Sequence, residues 1–164
     1  MLKVVEVRRA LEAESAALAA ERHNTKDLQK IKQAMRALDK AVADGGDGVS
    51  EDVAFHAAIA QAAGNPFLLD TLAYLNQFLE NATRVTRANE ATRKDLGDDV
   101  RDEHLAIVQA IEAGDAQAAR QAGTQHMVNA AKRIGNADPA FWRSQGLALA
   151  NRLRADLDVK KLKE

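Results

Sequence analysis

The sequence predicts an all-α domain, an antiparallel bundle of six to seven helices. Three observations carry that expectation. Apolar residues make up 46% of the chain, enough for a packed core, while aromatics are only 4% and alanine recurs in runs such as "AALAA", which favours helix over sheet. Apolar residues recur at spacings of three, four and seven in one segment after another. Short polar or glycine-bearing breaks separate those segments, and short connections make neighbouring helices antiparallel.

The first helix is expected over about Lys3 to Arg22, where Val4, Leu11 and Leu18 recur every seven residues with Arg8 and Ser15 on the same stripe. A second starts near Thr25 and carries Leu28, Ile31, Met35, Leu38 and Val42 until "ADGGDG" stops it. A third begins with Ser50 as N-cap and acidic residues in its first turn, and runs to the "AAGNP" break, where Asn65 reads as a turn or cap residue. Pro66 suits the first turn of a fourth, which carries Phe67, Leu68, Leu72, Leu75 and Leu79 and extends to about Ala91. Val100, Leu105, Ile107, Val108 and Ile111 mark a fifth that ends at Gly114, and Asp115 caps a sixth reaching about Ile134. The segment from Ala140 to Lys161 reads as a seventh. One bundle domain over 1–135 is therefore expected, with 136–164 a C-terminal helical extension packed on the bundle or at a dimer interface.

Composition excludes several functions. The 23 basic and 24 acidic residues nearly cancel, so no overall field draws the chain to nucleic acid or anionic lipid. Cysteine is absent, which removes disulfides and thiolate chemistry and leaves histidine and carboxylate as the metal ligands. Neither a signal peptide nor an apolar run of about 18 residues is visible, so a cytoplasmic chain without membrane contact is expected.

Asp52 and His56 are one helical turn apart and project from one face of the third helix. Taken alone, such a pair is commonly an exposed surface contact. His104 and His126 alter that reading: they lie 10 residues before Gly114 and 11 after Asp115. In an antiparallel hairpin, residues equidistant from the turn come side by side, because both helices advance about 1.5 Å per residue. One carboxylate and three imidazoles suit one divalent ion, zinc or nickel first and manganese after them, and an octahedral ion would keep two positions for water or a carboxylate ligand. The fourth histidine, His23, sits near a helix end and stays outside the set.

Arg8 lies on the inward stripe of the first helix and so needs an anion. Two roles are open to it, a salt bridge to Glu12 one turn later or a clamp on a carboxylate ligand in the metal's cavity. Asn129, one turn after His126, is a further ligand-binding candidate, with Arg84 and Asn81 weaker ones. Glu51, Asp102 and Glu103 adjoin the presumed ligands in sequence, but adjacent helical residues are rotated by about 100°, so none is aimed at the metal as a general base.

The stretches "VRRALEAESAALAA", "DVAFHAAIAQAAGNPFLLDTL" and "EHLAIVQAIEAGDAQAARQAGTQHMVNA" resemble the FadR-type C-terminal ligand-binding (FCD) domain of GntR transcription regulators, over about residues 3 to 134. The resemblance implies a helical bundle holding a divalent metal at Asp52, His56, His104 and His126, with a small organic acid bound beside it and homodimerisation as the usual state. Arg8 falls on the family's frequent helix-one arginine. The implied function is effector sensing without turnover, with a metalloenzyme on the same His/Asp site as the alternative. The winged-helix domain that precedes this domain in the family is expected to be missing from the chain, so DNA would be contacted only through such a domain.

Overall fold

The computed structural model describes residues 2–76 and 94–136. Among them are six helices and no strand: α1 (Leu2–Arg22), α2 (Thr25–Ala43), α3 (Val49–Ala62), α4 (66–76), α5 (Lys94–Glu112) and α6 (Ala116–Asn136). The far part of the expected fourth helix and the whole expected seventh lie outside the described residues.

Local chemistry sets the helix ends. Asn24 caps α2 through a capping box, its Oδ1 accepting from Lys26 and Asp27 N–H groups while Asp27 accepts from Asn24 N–H. Asp115 accepts from Ala118 N–H at the start of α6, and Asn65 accepts from Phe67 and Leu68 N–H at the start of α4. Two starts differ from the sequence reading. α3 begins at Val49, because Gly48 is its N-cap in a left-handed conformation (φ 64°) and Asp47 takes the Val49 N–H. A Cβ at Gly48 would meet Leu38 Cδ1 at 2.8 Å, so this turn requires glycine for space as well as for φ. α5 begins at Lys94, earlier than the apolar stripe indicates.

The core is formed where α1, α2, α3, α5 and α6 meet. Ala16, Ala19 and Ala20 of α1, Ile31 of α2, Phe55, Ile59 and Ala62 of α3, Ile107, Val108 and Ile111 of α5, and Ala119 of α6 form one buried cluster. On α5 the inward stripe is Val100, His104, Ile107, Val108 and Ile111, all buried, whereas Leu105 is 40% exposed. Leu105 was expected inside; its place one residue after His104 rotates it out of that stripe by about 100°. Likewise Val42, at the end of the α2 stripe, is exposed while Ile31 and Leu38 are buried.

α1 packs most extensively on α6. Gly123 permits this, since a Cβ there would stand 3.3 Å from Ala13 Cα and 3.5 Å from the Glu12 carbonyl.

Candidate metal centre

Three helices deliver the histidines. His56 comes from α3, His104 from α5 and His126 from α6, and all three are buried. One ring nitrogen from each lies within 4.8 Å of the others. The ring centroids of His104 and His126 are 4.6 Å apart, those of His56 and His126 5.1 Å, and those of His56 and His104 5.4 Å. The equidistance of His104 and His126 from the α5–α6 turn therefore does place them face to face. Asp52, buried one turn before His56, puts Oδ1 3.7 Å from His104 Nε2. Phe55 closes the inner side, its ring centroid 4.7 Å from that of His104.

Two of the histidines are held from behind by a carboxylate. Glu12 Oε2 lies 2.6 Å from His56 Nδ1, and Arg8 donates Nε to Glu12 Oε1 at 2.9 Å with Nη2 on the same oxygen. Glu103 Oε2 lies 2.8 Å from His126 Nδ1. Arg133 grips Glu103 with both terminal nitrogens at 2.9 and 3.0 Å, and Asn129 donates Nδ2 to it at 2.8 Å. With an anionic carboxylate on each Nδ1, that nitrogen carries the proton and Nε2 is left as the lone-pair nitrogen. His56 Nε2 is buried and makes no hydrogen bond among the described residues. A buried nitrogen in that state is costly unless something else satisfies it, and a divalent cation shared with the neighbouring imidazoles would do so. The donor set fits such an ion: three nitrogens that can converge, one nearby carboxylate, and outer carboxylates that orient the rings.

Burial by itself would raise the Glu12 carboxyl, but the charges of His56 and Arg8 and the hydrogen bonds from both hold it well below the usual carboxylate range. Burial works against Glu103 as well, yet hydrogen bonds from His126 and Arg133, the charge of Arg133 and a hydrogen bond from Asn129 bring its carboxyl down to about 2. Burial lowers the His126 pKa, outweighing the opposite pull of Glu103, which favours the unprotonated ring that a metal requires.

The candidates from the sequence are distributed as follows. Asp52, His56, His104 and His126 are brought together. Of the two roles open to Arg8, the salt bridge with Glu12 is the one present. Asn129 sits on Glu103, with its own Oδ1 accepting from Gln125. Arg84 and Asn81 lie outside the described residues. His23 is away from the cluster, with Nδ1 2.9 Å from the Ala19 carbonyl at the end of α1. Glu12 as a partner of His56, Glu103 as a partner of His126, and Arg133 as a partner of Glu103 were not found from the sequence. A signal existed for the second set, since His126, Asn129 and Arg133 share one face of α6 at spacings of three and four and converge on one acid.

Fold and site define an all-helical domain built around a buried histidine centre fed by three helices. The family model described as "FCD domain" matches residues 3–129, and the chain belongs to this family, the FCD domain of GntR-type transcription regulators. The HTH-type transcriptional regulator LutR of Bacillus subtilis (strain 168) is 33% identical over 128 residues, covering 77% of this chain and 58% of that protein. The putative L-lactate dehydrogenase operon regulatory protein of Escherichia coli (strain K12) is 33% identical over 125 residues, 76% of this chain and 47% of that one. Among solved structures, a GntR protein of Streptococcus agalactiae aligns with a TM-score of 0.67 and 25% identity over 80% of this chain and 57% of that chain. The chain thus spans about half the length of the curated relatives it matches. Its family is regulatory, and Glu103, the acid next to His104, is taken up by His126, Asn129 and Arg133. No described helix is long and apolar enough to cross a membrane.

Proposed function

We propose that this chain is the effector-sensing part of a GntR-type regulator, one that holds a divalent metal at Asp52, His56, His104 and His126 and binds a small organic acid beside it. The observation that supports this most directly is the convergence of three buried imidazole nitrogens within 4.8 Å, one of them, His56 Nε2, without a hydrogen bond among the described residues. Zinc or nickel suits three nitrogens and one carboxylate, and manganese is the next choice. When bound, the ion supplies positive charge in a buried place and so a seat for a carboxylate. In this reading Arg8 and Asn129 act through Glu12 and Glu103, keeping those carboxylates on the outer nitrogens of His56 and His126. Because His56, His104 and His126 come from three helices, binding at their centre couples α3, α5 and α6. A bound acid then biases the packing of those helices and the geometry of a homodimer, with DNA contacted through a winged-helix domain.

Metal content by mass spectrometry on purified chain, beside His104→Ala, tests the reading. About one ion per chain in the parent and none in the variant is the expected result. A thermal-shift screen of small acids with and without chelator follows, with stabilisation confined to the metal-loaded form. A parent that takes up no metal after reconstitution overturns the reading. Sedimentation velocity with and without acid tests the homodimer.

A further inference from the structure

The two carboxylate arms behind the histidines run to the same end of the bundle. From His56 the contacts pass through Glu12 to Arg8 on α1. From His126 they pass through Glu103 to Arg133 on α6. Arg8 is one turn from Val5, and Arg133 is next to Ile134. Val5 and Ile134 are buried in one apolar cluster with Met127, against which Val4 and Ala131 pack. We propose that metal binding at the histidines is read out at this end of the bundle, the first turns of α1 and the last turns of α6, with Arg133 as the residue that carries it along α6. The proposal rests on the metal-dependent reading above and assigns the direction in which that site acts.

The layout of α6 supports this. His126 and Arg133 are seven residues apart, about two helical turns, and both reach Glu103 of α5. Met127 and Ile134, each one residue further, are rotated from them by about 100° and belong to the cluster at the start of α1. A movement of the α6 face that holds Glu103 is therefore also a movement of the face that meets Val5. Glu103 ties the two turns together. Its Oε2 accepts from His126 Nδ1 and Arg133 Nη2, and its Oε1 from Asn129 and Arg133 Nη1, so the position of the His126 ring sets that of the Arg133 guanidinium. The side chains of Arg133 and Glu103 are only 9% and 13% exposed, which keeps water from diluting these bonds. With Nε2 on a cation, the Nδ1–H of His126 is a stronger donor, tightening the hold on Glu103 and through it on Arg133. The same holds on the other arm for His56, Glu12 and Arg8. The opposite end of the bundle, where Gly114 approaches the Ala20 carbonyl, supplies the reference.

Hydrogen exchange read by mass spectrometry, on the full chain with and without zinc, tests the proposal. Backbone amides of residues 6–12 and 130–136 are compared with those of 19–23 and 111–115 at the opposite end. The first N–H groups of α1 are left out, because no helical carbonyl protects them. Zinc should slow exchange at 6–12 and 130–136 at least about fivefold more than at the opposite end. Arg133→Met keeps the aliphatic stem and removes the guanidinium. It should still load zinc, while the extra slowing at 130–136 falls below about twofold, under the range of a coupled pair. An Arg133 that is merely structural would speed exchange equally with and without zinc and leave the zinc-dependent ratio unchanged. That unchanged ratio overturns the proposal, as does zinc slowing both ends alike in the parent, and either leaves the metal-dependent reading standing. The parent comparison decides by itself if Arg133→Met does not fold. Failure of the parent to load zinc overturns the reading and the proposal together.

Discussion

On the α1–α3 side of the histidine cluster, arginine and carboxylate share one helix: Arg8 and Glu12 are a turn apart on α1 and reach across to His56 on α3. On the α5–α6 side the carboxylate stands alone on α5, and three α6 residues, His126, Asn129 and Arg133, close on it. Both arms do the same thing, which is to place an anion behind an imidazole. They differ in depth and redundancy. Glu12 is buried and depends on two partners, whereas Glu103 is half-buried and has three. A deep ion pair with few partners makes a brittle support, because either loss strands a charge in the interior. A shallower, many-partnered carboxylate tolerates the loss of any one neighbour.

Glu12→Ala should therefore have the largest effect. It leaves the Arg8 guanidinium buried without its carboxylate, and a loss of about 3–5 kcal/mol is expected, measured by urea denaturation of metal-free protein. A loss under about 1 kcal/mol would mean that the α1 pair is no more than a surface-like contact. Metal affinity provides a second comparison, in which the arms should match. Glu12→Gln and Glu103→Gln keep the shape and remove the charge, and each should weaken zinc binding by about 10- to 100-fold in chelator competition. If one of them leaves affinity unchanged, the carboxylate of that arm does not orient its histidine.

Next in size is Glu103→Ala, expected to cost about 1–3 kcal/mol, less than Glu12→Ala because Glu103 is itself less deeply buried than Glu12. Equal losses in the two alanine variants would erase the distinction between a deep arm and a shallow one. The smallest effect should be that of Asn129→Ala, about 1 kcal/mol or less, since Arg133 and His126 still hold Glu103. A loss matching that of Glu103→Ala would show that the α6 partners are not redundant.

Much of the cluster was legible because helical geometry is so regular. Asp52 and His56 are one turn apart in any helix, and His104 and His126 face each other in any tight hairpin that turns at Gly114. His104 also occupies a position of the apolar α5 stripe, a signal that it points inward. What lay behind the rings was not legible. Glu12 and His56 are 44 residues apart, and their contact depends on how α1 crosses α3, which no periodicity encodes. Glu103 was set aside because it is rotated away from the cluster, and that rotation is real. It carries the carboxylate across to α6, where it meets the outer nitrogen of His126. The role of Arg8 stayed open for the same reason, since a salt bridge to Glu12 and a clamp on a ligand call for the same inward position.

By itself the sequence determined the all-helical class, the order of the described helices, most of the inward stripe positions and the four residues that the structure brings together. Each follows from spacing along one helix or across one short turn, where the rise and rotation per residue are fixed by the backbone. Only the tertiary structure decided which carboxylate stands behind which histidine, that Arg8 is occupied by Glu12, and that both carboxylate arms run to the end where α1 starts and α6 finishes. These depend on how helices distant in sequence pack, and that is set by contacts such as Gly123 against Ala13, where a single missing Cβ determines how closely two helices approach.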